Sequence, residues 1–202
     1  MAVDDPPDDT DTRSALLRAA CHTLCDHGYG AFSLRKVAAE ADMSRGLVHY
    51  HYDSKSDLLV SLLEFLIDRF EARFEDPAGR SALDRLDAVL EWVAFGPSIF
   101  GRDGRDYFTA IFELRAQAPY DDRLRARLTA NYETVRDRLA AIVREGVDDG
   151  DLAAVDPTTT ATFLVTAVDG ARNADLTMTT DGTVETSLSA IEQFVFRSLR
   201  ST

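Results

Sequence analysis

Apolar residues recur along the chain at helical spacing rather than in alternation. Leu16, Leu17, Ala20, Cys21 and Leu24 mark a first helix that stops at the glycine-rich Gly28-Tyr29-Gly30. Ser33 caps a short helix over Leu34–Glu40, with Leu34, Val37, Ala38 and Ala41 available for one face. Ser44 caps a second short helix over Arg45–His51. A longer helix starts at Ser54, and its stripe of Leu58, Leu59, Leu62, Leu63, Leu66 and Phe70 is wide enough to pack on two sides. Beyond Asp76-Pro77 the pattern predicts helices over Ala82–Phe95, Asp106–Ala118, Asp121–Val147, Thr158–Met178 and Val184–Leu199. The expected fold is all-α with about nine helices. Residues 1–10, acidic and without periodicity, are expected to be a disordered tail. A three-helix unit over 11–57 and a larger helical domain over 58–202 follow.

Composition narrows the class. With 45% hydrophobic residues in 202, the chain can bury a sizeable core. Two cysteines cannot build a disulfide framework, and the longest stretch without a charge, Pro157–Val168, is too short to span a membrane. The acidic start MAVDDPPDDTD lacks the basic and apolar runs of a secretory signal. A soluble, cytoplasmic protein is expected, with no membrane partner.

Charge adds a contrast. The 35 acids are 25 Asp and 10 Glu, the 22 bases are 20 Arg and only Lys36 and Lys55, and the formal net charge is −13. Rich in Asp and poor in Lys, this is the composition expected of a halophile, whose acidic surfaces stay hydrated in strong salt. Between Asp11 and Lys55, however, six bases (Arg13, Arg18, Arg35, Lys36, Arg45, Lys55) outnumber five acids (Asp11, Asp26, Glu40, Asp42, Asp53), so the remainder carries −14. A nearly neutral segment on an acidic background fits a surface that lies against a polyanion.

That segment has the layout of a helix-turn-helix. Ala38 or Ala41 supplies the small residue where two helices cross, and Asp42 suits the positive φ of the turn. The second helix opens Ser44-Arg45-Gly46 and continues with His49, Tyr50, His51 and Tyr52. Leu16-Leu17-Arg18-Ala19-Ala20, Gly28-Tyr29, Ser33-Leu34-Arg35-Lys36-Val37-Ala38, Ser44-Arg45-Gly46 and His49 to Lys55 resemble, in order and spacing, the TetR family of transcriptional regulators. Asp42 stands where the family usually has glycine, and Asp53, an acid near the DNA side, where proline is common.

The resemblance implies a double-stranded DNA operator as partner. Ser33 and Ser44 would offer hydroxyls and helix-start N–H groups to phosphates, and Arg35, Arg45 and Lys55 would neutralise phosphate charge. Gly46 would let the backbone approach the groove. Arg45, Leu47, His49 and Tyr50 would face DNA, with Arg45 the candidate reader of a guanine edge. Ser33 and Ser44 also read as plain N-caps, and Tyr52 as a core anchor. His49 and His51 lie about 200° apart round a helix and cannot pinch one metal.

Glu113-Leu114-Arg115-Ala116, the Arg-rich helix from Asp121, Gly150-Asp151-Leu152 and Val168-Asp169-Gly170-Ala171 resemble, more loosely, the C-terminal domain of the family's betaine-regulator branch. The resemblance implies a homodimer formed by the last two helices, with Phe163, Ala167, Gly170, Ala171 and Ala174 on one face and Val184, Leu188, Ile191, Val195 and Leu199 on the other. It also implies an unknown small effector, apolar or amphipathic. Phe65, Trp92, Phe95, Tyr107, Phe108, Phe112, Tyr132 and Phe163 are candidates to line its pocket, although each fits ordinary core as well. Effector binding would tilt the long fourth helix and reset the spacing of the recognition helices.

Cys21 and Cys25, four residues apart on the first helix, read as packing residues rather than a thiol or metal sensor. No phosphate-binding glycine loop, H-E-x-x-H or C-x-x-C motif occurs, so neither an enzyme nor a metal or other cofactor is expected. The expected function is a ligand-released repressor that binds a pseudo-palindromic operator as a dimer. The alternative is a constitutive DNA- or protein-binding dimer without an effector.

Overall fold

The computed structural model describes residues 9–72, 80–180 and 182–200; most of the expected acidic tail lies outside them. Among the described residues the fold is all-α, with nine helices in chain order and no strand beyond two isolated bridges, Ile99 to Arg102 and Leu152 to Arg200.

Helix α1 (Asp9–Ala31) begins inside the segment expected to be disordered, and its regular run breaks at Gly28, where the glycine run was expected to end it, before a last helical turn to Ala31. The glycine run leaves a kink: Gly28 takes φ 69°, ψ 170°, a backbone region open to glycine at little cost. Leu16, Ala20, Cys21 and Leu24 are fully buried. Helices α2 (Leu34–Glu40) and α3 (Arg45–His51) follow with the expected bounds. Ser33 Oγ accepts from the Lys36 N–H at 3.3 Å and Ser44 Oγ from the Leu47 N–H at 3.2 Å, so both hydroxyls cap their helices. Between them Asp42 holds φ 52°, as the turn requires. Val37, Ala38, Val48 and Tyr52 close this unit onto α1. His22 Nδ1 lies 3.2 Å from Glu40 Oε1, tying α1 to the end of α2.

Helix α4 (Lys55–Glu71) buries Leu58, Leu59, Leu62, Leu63, Leu66, Ile67 and Phe70. The two-sided stripe packs on α1 and also on α6 (Gly104–Arg115) and α7 (Asp122–Asp148). Each fully buried leucine contributes about 1.5–3 kcal/mol of apolar burial. Helix α5 (Ala82–Phe95) ends at Gly96, and α6 starts two residues earlier than its apolar pattern suggests, because the Asp103 carboxylate accepts from the Asp106 N–H. Helix α8 (Pro157–Thr177) begins with proline behind the Asp156 cap and packs on α5 and α7. Helix α9 starts at Thr183–Ala190, widens into a π-helical turn over Ile191–Phe196 and closes with Arg197–Leu199. Asp175 at the end of α8 accepts from the Thr183 and Val184 N–H groups at 3.1 and 3.2 Å, fixing where α9 begins.

The expected pairing surface is partly used up within the protomer, and the π turn bears only on the positions after Ile191. One extra residue per turn rotates everything after it relative to a 3.6-residue pattern. Ala171, Val184, Ile191 and Leu199, expected on the dimer face, are buried in the protomer's own core. Leu188, Val195, Ala167 and Ala174 are half-buried. Of the expected set only Phe163 and Gly170 are exposed, and Phe194, outside that set, has 68% of its surface exposed.

Candidate nucleic-acid interface and effector cavity

The helix-turn-helix presents its polar residues on one side. Val48 and Tyr52 anchor α3 inward, which leaves Ser44, Arg45, Gly46, His49 and Tyr50 exposed, Tyr50 by 78%. Leu47 is half-buried, and Arg35 is exposed on the first turn of α2. Burial raises the Tyr52 hydroxyl above the ordinary phenol range, as suits a core anchor. A Cβ placed on Gly46 would meet nothing nearer than Ser44 Oγ at 3.9 Å, so packing does not demand glycine there.

Lys55 departs from the expected set. Its Nζ donates to the Tyr29 carbonyl at 2.6 Å and sits 3.5 Å from the centre of the Tyr29 ring, with Phe32 at 5.4 Å. Partial burial pulls its pKa down. Kinked at Gly28, α1 offers both carbonyl and ring to this ammonium, so Lys55 ties α4 to α1 rather than standing out beside Arg35 and Arg45.

The same end of α1 is fastened to α6. The Tyr29 N–H donates to Glu113 Oε2 at 2.8 Å, Arg102 bridges to both Asp26 oxygens at 2.9 and 2.8 Å, and Cys25 Sγ lies 3.3 Å from the Asp106 carbonyl. Cys21 is fully buried, and its hydrogen bond with Cys25 raises the Cys21 pKa and lowers that of Cys25. Among the described residues no group of three or more His, Cys, Asp or Glu is placed to hold a metal. No helix among them is long and apolar enough to cross a membrane. Helix α7 grips α4 from the other side: Arg123 pairs with Asp57 at 2.7 Å and Arg127 with Asp68 at 2.6 Å.

The opposite face of α6 walls an inner cavity of about 50 Å³ between α4, α5, α7 and α8. Of the aromatic candidates, Tyr107, Phe108 and Tyr132 line it. Trp92 lies behind Phe70, at 5.5 Å between ring centres, and donates to the Phe70 carbonyl at 3.2 Å. The remaining candidates do not meet there. Phe95 borders a separate outer groove, Phe65 stacks on Phe100 at 4.9 Å above a third space, Phe112 is half-buried away from these cavities, and Phe163 faces outward. The spread follows from helix geometry: aromatic residues pooled along the sequence leave different helices at different angles.

The pocket candidates read from the sequence were all aromatic, and the polar lining residues were not among them. Arg115 and Arg172 both reach Asp169, Arg115 Nη1 to Oδ2 at 2.6 Å and Arg172 Nη2 to Oδ1. Arg172 also donates to the Val93 carbonyl, and its guanidinium lies 3.8 Å from the centre of the Phe108 ring. Burial drives its pKa down. Asn131 Oδ1 is buried in the same wall with no hydrogen-bond partner. Asp169 and Arg172 are the first charges after the uncharged run Pro157–Val168, and that signal could have drawn attention to them.

Residues 16–62 match the bacterial regulatory proteins of the tetR family, and residues 80–199 match the C-terminal domain of BetI-type transcriptional repressors. The chain belongs to the TetR family. A TetR transcription regulator from Haloarcula marismortui is 29% identical and superimposes with a TM-score of 0.85 over 95% of this chain and 100% of that one. A transcriptional regulator from Saccharomonospora viridis, solved with choline, shares the fold at a TM-score of 0.82 and 21% identity, covering 96% of this chain and 100% of that one. Among characterised relatives, the repressor KstR of Rhodococcus jostii is 30% identical over 136 residues and the regulator RutR of Escherichia coli 28% identical over 149. Those alignments cover 63% and 72% of this chain, and 64% and 66% of the relatives' own length.

Proposed function

We propose that this TetR-family protein is a dimeric transcriptional repressor that binds a pseudo-palindromic DNA operator and is released by a small organic effector. Residues 11–57 form its DNA-binding domain, and 58–202 its effector-binding and dimerisation domain. The observation that carries the reading is the outward face of α3, where Arg45, Gly46, His49 and Tyr50 stand exposed without a packing role. Arg45 addresses a base edge, Gly46 admits the phosphodiester backbone, and Arg35 with the capped starts of α2 and α3 contacts phosphates. The exposed α8–α9 surface around Phe163, Gly170 and Phe194 supplies the dimer contact. Two recognition helices then reach successive major grooves about 34–36 Å apart.

Effector release runs through α6, one face of which lines the cavity while Glu113 on the other holds Tyr29, with Arg102 just ahead of the helix holding Asp26. An effector shifts operator affinity only by its preference for one arrangement of these contacts. Footprinting of genomic fragments retained by the purified protein in concentrated potassium chloride tests the reading. A protected two-fold-symmetric site that a small molecule relieves is expected. Protection that no small molecule alters favours a constitutive DNA-binding dimer, and no protection at all rejects DNA binding.

A further inference from the structure

We infer that the effector is a small carboxylate with an apolar body, held by the guanidinium groups of Arg115 and Arg172 and by the amide of Asn131. The inference rests on the effector-released reading above and names the ligand class of that cavity.

Charge decides the sign. Two guanidiniums line the cavity, and the one lining carboxylate, Asp169, is divided between them. A guanidinium carries five N–H donors in a planar fork suited to carboxylates. Asp169 takes one hydrogen bond from each arginine and leaves the pair with one positive charge in excess. Arg172 is largely buried and held by Asp169, while Arg115 keeps 39% of its side chain exposed, so an arriving anion takes the place of water on Arg115 and pairs the excess charge.

The alternative, a quaternary ammonium cation, needs an open aromatic face and an uncommitted anion. Arg172 itself covers Phe108 at 3.8 Å, and Phe70 stacks between Trp92 and Tyr107 at 5.5 and 6.2 Å, so Tyr132 is left as a single lining ring beside two guanidiniums, and Asp169 is already shared. A monoanion is favoured over a phosphate dianion because the other walls (Val93, Ile111, Leu128, Val165) are apolar, and a second charge there would be desolvated without a partner. Asn131, whose buried amide oxygen has no partner, can present either end of its amide to the bound acid.

Access has a structural basis too. The inner cavity, about 50 Å³, is far smaller than the roughly 300–1,000 Å³ of ligand pockets. Arg172 and Phe108 also border the outer groove of about 200 Å³, between α5, α6, α8 and the start of α9. This stacked pair therefore separates the two spaces. Its movement toward an incoming carboxylate joins them and shifts α6 through Phe108, which links binding to the contacts that hold α1.

Calorimetric titration of the full-length protein tests this with benzoate, phenylacetate, cyclohexanecarboxylate and hexanoate, each beside its primary amide, and with choline, at constant ionic strength. At least one acid is expected to bind, its amide at least tenfold more weakly, and choline not at all. Arg115→Gln is expected to weaken that acid at least tenfold. Its half-exposed position keeps it informative even where Arg172→Met fails to fold. Choline binding without acid binding, equal affinity for acid and amide, unchanged affinity in Arg115→Gln, or silence from all four acids overturns the inference. Operator binding measured on the same preparation without ligand separates the failures: DNA retention with silent acids sinks the carboxylate alone, and acid binding without DNA retention sinks the operator reading alone.

Discussion

Glu113 on α6 accepts a 2.8 Å hydrogen bond from the backbone N–H of Tyr29, and the same peptide segment gives its carbonyl to Lys55 on α4. One residue at the kinked end of α1 is thus held by the helix that lines the cavity and by the helix that leaves the DNA-binding unit. Leaving a part-buried donor unsatisfied costs about 1–3 kcal/mol. Glu113→Ala is expected to lower unfolding stability by that order and to reduce the effector's influence on operator affinity more than operator affinity itself. Denaturant unfolding with DNA titrations in the presence and absence of effector checks both.

Gly46→Ala separates a fold role from a DNA role. Space for the methyl exists, and replacing an exposed helical glycine by alanine stabilises by about 0.5–1 kcal/mol. The variant should therefore melt later yet bind operator more weakly. Unchanged DNA affinity would remove Gly46 from the interface.

Arg45→Ala and Tyr50→Ala remove exposed side chains and are expected to leave stability within about 0.5 kcal/mol. Loss of a base contact costs about 1–3 kcal/mol, tenfold or more in operator affinity, and Arg45→Ala should also relax preference at one operator position. Competition between single-base operator variants measures this.

Acid sensitivity is expected at the α4–α7 junction. Hydrogen bonds from Ser54 and then Arg123 hold the Asp57 carboxyl below the usual range, and a hydrogen bond from Ser56 does the same for Asp121. A carboxyl with a lower pKa in the folded state stabilises above its unfolded pKa, near 4, and loses that contribution as pH falls through the folded value. Thermal midpoints should fall below about pH 4, and Asp57→Asn with Asp121→Asn should flatten that limb. An acid limb equally steep in the double variant would contradict the assignment.

How much was legible beforehand depended on the kind of signal. Asp42 could be placed at a positive φ because few residue types adopt it, and Tyr52 could be placed inward from helical phase. Both are local properties. The outward swing of Phe194 was not legible, because a π turn breaks the 3.6-residue period on which phase depends. The inward contact of Lys55 was not legible, since its partner is a backbone carbonyl beside the Gly28 kink, 26 positions away. The Arg115–Asp169–Arg172 cluster joins residues 54 apart across two helices, and no spacing rule on a single helix reports such a pair.

Salt offers a further check. Neutralising Z phosphates weakens binding with a slope of about −0.9Z on a log–log plot, a driving force that nearly vanishes at multimolar salt. With a net charge of −13, the protein is expected to depend on base-edge contacts and shape, so operator affinity should fall only gently above 1 M potassium chloride.

The most direct measurement is selection of bound sequences from a pool of random duplexes in concentrated potassium chloride. Two inverted half-sites with centres about 10–10.5 base pairs apart, or a multiple of that, are predicted, and their enrichment should disappear with Arg45→Ala. A pool that stays random after repeated rounds with folded protein would contradict the account.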